Sequence, residues 1–138
     1  MNTQRFYPNK AWIQWTTDLE LYQWLATFAK TLYTDRTAII RHFILELKEN
    51  DPSATSKLSQ FIELGIREPV ITKTVAKVGI PEDLAVWLRR SIRQMPRHPE
   101  HPNVPLRPGF LLNGYFRYLH DHQTQCVQHG KIQLDAEP

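Results

Sequence analysis

FAKTLYTDRTAIIRHFI, residues 28–44, holds the end of one amphipathic stretch and the start of another with almost nothing between them. Upstream, Leu21, Tyr22, Leu25, Phe28, Ala29 and Leu32 recur at helical spacing, forming one stripe of a helix that Asp18 can cap. Downstream, Thr34 and Asp35 can cap a second helix with a buried stripe of Ile39 or Ile40, Phe43, Ile44 and Leu47, ending by Pro52. Ahead of the pair, AWIQWTT (residues 11–17) is rich in β-formers. Ile13 and Trp15 would share one face of that strand, and Trp12, Gln14 and Thr16 the other. The N-terminal unit reads as strand, helix, tight turn, helix.

Beyond it the pattern is mainly helical. A third helix is predicted from Ser53 to Leu64, with Leu58, Phe61 and Ile62 inward and Gly65 as its stop. PVITKTVAKVG (69–79) is rich in β-branched residues, but Ile71, Val75 and Val78 also fit a helical stripe. Pro69 and Gly79 stand where a helix would start and stop, which favours helix. Pro81 opens a further helix, EDLAVWLRRSIRQM, with Leu84, Trp87, Leu88, Ser91 and Met95 inward and Arg89, Arg90 and Arg93 on its other side. In PRHPEHPNVPLRP, prolines 96, 99, 102, 105 and 108 keep the three-residue period of polyproline II. That segment reads as a stiff spacer or surface strap of up to about 40 Å. A last helix is predicted from Phe110 to Val127.

The 138 residues suit one modest domain or two very small ones. No apolar run approaches the roughly 20 residues needed to cross a bilayer. MNTQRFYPNK carries no apolar signal segment, and Cys126 has no second cysteine to pair with, so a cytoplasmic location is expected. The net charge of +3 decides little, but its distribution is uneven. Between Arg89 and Arg117, six arginines face a single acid, Glu100. Such a stripe is the footprint of a polyanion partner or an ordinary solvated face.

Chemistry is sparse. His98 and His101 would lie about 9 Å apart along a polyproline helix, awkward for one ion. His122, Cys126 and His129 share a helix face, but that face continues the apolar stripe of Leu112, Phe116 and Leu119, and a fourth ligand is lacking. No metal or other cofactor is expected. The sequence has no Gly-rich phosphate loop, nucleophile elbow or His-Glu metalloprotease pattern, so no catalytic residues are assigned and an enzyme is not expected.

From Trp12 to Asn50 the chain resembles the ribbon-helix-helix family of DNA-binding proteins (the MetJ/Arc type). The family's first helix ends L-x-x-φ-A-K-x-φ, and after a short turn its second opens [S/D]-R-[S/T]-x-φ-I-R. Here those positions are Leu25, Phe28, Ala29, Lys30 and Leu32, then Asp35-Arg36-Thr37-Ala38-Ile39-Ile40-Arg41. The turn position where the family often has glycine is Tyr33. The resemblance implies an intertwined homodimer that pairs one short strand from each chain, with Ile13, Trp15, Leu25, Phe28, Ile40 and Phe43 in the dimer core. It implies base contacts from Trp12, Gln14 and Thr16 in a major groove, and phosphate contacts from Arg36 and Thr37, with Lys10 beside them. VAKVGIPEDLAVWLRR (75–90) is loosely similar to a helix-turn-helix, which would carry Arg89, Arg90 and Arg93 to phosphates.

These readings give a mainly α protein: a ribbon-helix-helix dimerisation and DNA-binding domain (1–52), a helical region (53–95), a proline-rich spacer (96–109), and a C-terminal helix and tail (110–138). The expected function is sequence-specific binding of double-stranded DNA as a dimeric transcriptional regulator, such as a repressor. The alternatives are a protein-interaction module of antitoxin type, with a partner on the C-terminal half, or a plasmid-partition or DNA-processing accessory protein.

Overall fold

The computed structural model of the chain describes residues 10–50, 54–68 and 70–128. In chain order the elements are β1 (Lys10–Asp18), α1 (Leu19–Thr31), α2 (Arg36–Glu49), α3 (Ala54–Arg67), β2 (Lys73–Pro81), α4 (Glu82–Arg93) and α5 (Pro108–Gln128). Among the described residues no helix is long and apolar enough to cross a membrane.

The first unit forms as its sequence dictates. Asp18 caps α1, its carboxylate accepting from the Leu21 amide at 3.2 Å, and Asp35 caps α2 through the Ala38 amide at 2.8 Å. Between them α1 closes with the Tyr33 amide donating to the Lys30 carbonyl and the Thr34 amide to that of Ala29. That pair of bonds needs a left-handed residue one place past the cap, and Tyr33 supplies it at φ 59° although it is not glycine.

The strand does not find its partner where the family resemblance placed it. β1 pairs antiparallel with β2 of the same chain, in unbroken register from Lys10 opposite Pro81 to Asp18 opposite Lys73. The expected fold, one strand per chain in an intertwined dimer, is thereby overturned: the sheet has two strands and both belong to one chain. The helix expected over 69–79 is overturned with it, since Lys73–Pro81 is extended. Alternation decides the matter physically. Ala76, Val78 and Ile80 point into the core, whereas Lys73, Val75 and Lys77 point out. Gly79 is no helix stop but sits opposite Trp12, where a Cβ would collide with the Lys10 side chain and press on the Trp12 ring. An extended 75–80 also removes the helix-turn-helix.

Two further expectations change. Gly65 does not end α3, which continues to Arg67; α3 crosses α5 there, Gly65 against the Phe110 carbonyl and Gly114 against the Phe61 carbonyl. Nor is the proline segment a straight strap. The His101 amide donates to the His98 carbonyl and the Val104 amide to that of His101, two successive turns, before Leu106 packs on the core.

Ile13, Trp15, Leu25, Ile40 and Phe43, expected in a dimer core, are buried within this one chain, and Phe28 packs on their cluster. The cluster continues through Val78, Ile80, Leu84, Leu88, Leu111 and Phe116, so the C-terminal half completes the core that a second copy was expected to supply.

That completion follows a repeat. A shift of 63 residues carries Lys10 onto Lys73 and β1–α1 onto β2–α4. Buried Ile13, Trp15 and Thr17 fall on buried Ala76, Val78 and Ile80, and Leu21, Leu25 and Ala29 on Leu84, Leu88 and Ile92. Leu21-Tyr22-Gln23-Trp24-Leu25 falls on Leu84-Ala85-Val86-Trp87-Leu88, the same L-x-x-W-L. After the longer connection the shift becomes 72, carrying Arg36 onto Pro108, where α5 starts, and Ile40 and Ile44 onto Leu112 and Phe116. Packing obeys the same relation: α1 lies on α5 as α4 lies on α2, and α5 lies on β1 as α2 lies on β2. Two residues meet their own mates, Gln14 opposite Lys77 in the sheet and Phe43 stacked on Tyr115 with ring centroids 3.6 Å apart. An approximate two-fold axis passes through both contacts, and α3 is the insertion between the halves.

Candidate nucleic-acid interface

The alternation that buries one face of the ribbon turns the other to solvent. From β1 it presents Lys10, Trp12, Gln14 and Thr16, and from β2 Lys73, Val75 and Lys77. Trp12 is 52% and Val75 62% exposed, large apolar groups that a folded chain leaves in water only singly or at a contact surface. The Trp12 ring lies across Gly79 with the Lys10 ammonium 4.9 Å and the Lys77 ammonium 4.6 Å from its centre. These contacts hold the indole flat on the ribbon and gather positive charge around it.

The one carboxylate of these strands, Asp18, is turned away onto amides: Leu21 on one oxygen, Ile71 at 3.2 Å and Thr72 at 3.4 Å on the other. Burial alone would push its pKa up, but those amide bonds, aided by the charge of Arg117, hold it below the ordinary carboxylate value. The ribbon's outward side chains are therefore neutral or cationic.

Beside β1 the face opens into a groove of about 740 Å³ lined by Gln14, Thr16, Lys73, Arg89 and Arg107, and by one acid, Glu68, which is paired with Arg117 at 3.7 Å. α5 enters it N-terminus first, with Gly109 packed directly on Trp15; a Cβ there would stand 2.9 Å from that of Trp15. Asn113 locks the helix in place, accepting from Trp15 Nε1 at 3.0 Å and donating to the Thr16 carbonyl at 3.1 Å. Arg89 donates to the Trp12 carbonyl at 3.0 Å. Both carbonyls have the same parity, as free-edge groups of an antiparallel strand must, so two of the acceptors on the β1 edge are taken by side chains of the same chain.

The residues expected at the interface divide. Trp12, Gln14, Thr16 and Lys10 share the open face, and Arg89 joins them from α4. Arg90 and Arg93 are exposed on the last turn of α4, where they favour the helix dipole. Arg36 turns inward: its guanidinium lies 3.7 Å from the Tyr22 ring centre and donates to the Tyr22 carbonyl at 3.0 Å, clamping α2 to α1. Thr37 is half-buried beside it. Lys73, Lys77 and Arg107 were missed. The two lysines were hidden by the helical reading of 69–79, although the alternation Val75, Lys77 against Ala76, Val78, Ile80 could have shown them. For Arg107 the signal was a basic residue directly ahead of a helix-opening proline.

Away from the ribbon, the turns of the proline segment bring His98, Glu100 and His101 within metal-chelating range, their ligand atoms within 4.8 Å of one another. This replaces the wide separation expected from a polyproline rise. The Glu100 amide already donates to His98 Nδ1 at 3.0 Å, so chelation through that atom would cost the bond. His122 stacks on Tyr118, while the Cys126 side chain and His129 lie outside the described residues. A second groove, about 620 Å³, lies between the first hairpin and α5, lined by Phe28, Leu32, Ile39, Tyr115 and Leu119.

No protein-family profile, curated protein or solved structure matches the chain.

Proposed function

We propose that the protein binds double-stranded DNA sequence-specifically, laying the outer face of the β1–β2 ribbon in the major groove, and acts as a transcriptional regulator. One observation carries the reading: an exposed two-stranded ribbon that offers Gln14, Thr16 and Trp12 among Lys10, Lys73 and Lys77, with no outward carboxylate. A two-stranded ribbon fits the width of the major groove. Gln14 suits the N6 and N7 edge of adenine, Lys77 the O6 and N7 of guanine, and Thr16 and Val75 a thymine methyl. Lys10, Lys73, Arg89 and Arg107 stand at the margins, where phosphates would pass. The role is binding rather than catalysis, and the N-terminal resemblance to the ribbon-helix-helix family supports it.

Titrating two variants against the preferred site and random DNA at several salt concentrations tests this. Gln14→Ala should cost about 1–3 kcal/mol on the preferred site and little on random DNA, because only a base-edge contact tells sequences apart. Arg107→Ala should weaken both alike and lower the slope of log affinity against log salt by about one unit. An unchanged preference in Gln14→Ala would remove the ribbon as reading head. The apolar groove beside α5 favours a second reading, a protein-interaction module of antitoxin type. A stable protein partner lost in Leu32→Glu, with DNA binding intact, would support it.

A further inference from the structure

The repeat that builds the core does not extend to the surface that would read DNA. Under the 63-residue shift the buried strand positions stay buried, apolar in both halves except where Thr17 falls on Ile80, and Lys10 keeps its charge in Lys73. The other outward positions diverge: Trp12 becomes Val75, Gln14 becomes Lys77 and Thr16 becomes Gly79. The helix starts diverge too, Asp35-Arg36-Thr37 against Arg107-Pro108-Gly109. The two ends of the ribbon are consequently unlike. One pairs Trp12 with Gly79 under two lysines, and the other pairs Thr16 with Val75 beside the groove at the start of α5.

We infer that one copy of this chain is a complete reader and that its target is a single, non-palindromic duplex site. This rests on the DNA-binding reading above and fixes the symmetry and stoichiometry of the ligand. A palindrome is read when identical surfaces meet across a two-fold axis, so that each base contact is made twice. Here the axis runs between Gln14 and Lys77, an amide that suits adenine facing an ammonium that suits guanine. The base pairs on either side of the axis must differ. Nor is a second copy needed to complete the ribbon, since the pairing partner of β1 is β2 and the groups left on the β1 edge include carbonyls already bonded to Arg89 and Asn113.

The experiment is selection of bound duplexes from a random library by the full-length chain, followed by native mass spectrometry on the winning duplex. The same selection is run with Gln14→Ala and Lys77→Ala. Both side chains are exposed, and circular dichroism melts verify that the variants fold. The expected consensus has no dyad, the complex holds one chain per duplex, and each variant relaxes one position, a different one in each case, by about tenfold. A palindromic consensus bound by two chains, with Gln14→Ala relaxing two symmetric positions, would overturn the inference and leave DNA binding standing. Recovery of no enriched sequence would remove the DNA reading itself.

Discussion

Asp18 serves two junctions with one carboxylate. One oxygen holds the first turn of α1, and the other holds Ile71 and Thr72, the residues that lead into β2. The Leu19 amide donates to the Thr72 carbonyl at 2.7 Å in the same place. The group thus joins the end of one strand to the beginning of the other and helps set their register. Its pKa in the folded chain is lowered, so its contribution is fully present above the unfolded value of about 4 and disappears as the pH falls through the folded value. Asp18→Ala should cost about 0.5–2 kcal/mol at neutral pH, the usual range for a lost cap. Urea melts from pH 7 to pH 2 should show the wild type and the variant converging below pH 4. A gap that stays constant into acid would mean that the ionised carboxylate is not what holds the junction. Its counterpart in the repeat, Pro81, makes no side-chain cap, so the second half starts its helix without this device.

Among the elements, α3 and α5 are packed most intimately, and two glycines permit it. Gly65 and Gly114 bring each backbone against a carbonyl of the other helix, so an added methyl would meet rigid main chain rather than a movable side chain. Gly114→Ala should destabilise the fold by about 1–3 kcal/mol in thermal or urea melts, as overpacking does. Unchanged stability would show that the helices do not approach so closely. Its mate Gly65 resembles a helix stop in sequence because nothing local distinguishes a terminal glycine from one needed by a helix that packs on it from much later in the chain. β1, α1 and α2 were legible because their signals are local, two aspartate caps ahead of clear stripes. β2 was not, since Ile71, Val75 and Val78 satisfy a helical period and only pairing with β1 settles the matter. Half of the candidate interface went unread for that reason, the half that carries Lys73 and Lys77. An internal comparison at the L-x-x-W-L repeat would have found it.

At the scale of the whole molecule, the core needs both halves, and one chain supplies both. Stability should then be independent of protein concentration: the urea midpoint should stay fixed over a hundredfold dilution, whereas a ribbon shared by two chains would weaken on dilution. The order of the halves along the chain carries a consequence of another kind. During synthesis β1 emerges first, with its edge bare, and β2 follows roughly 55 residues later, about 3–11 s at ordinary elongation rates. Through that interval the tryptophan-bearing strand has no mate of its own. A leading chain on the same message, translated past β2, already carries a strand that fits it, so crowded translation would favour exchanged halves, and the time β1 spends waiting sets how often that happens.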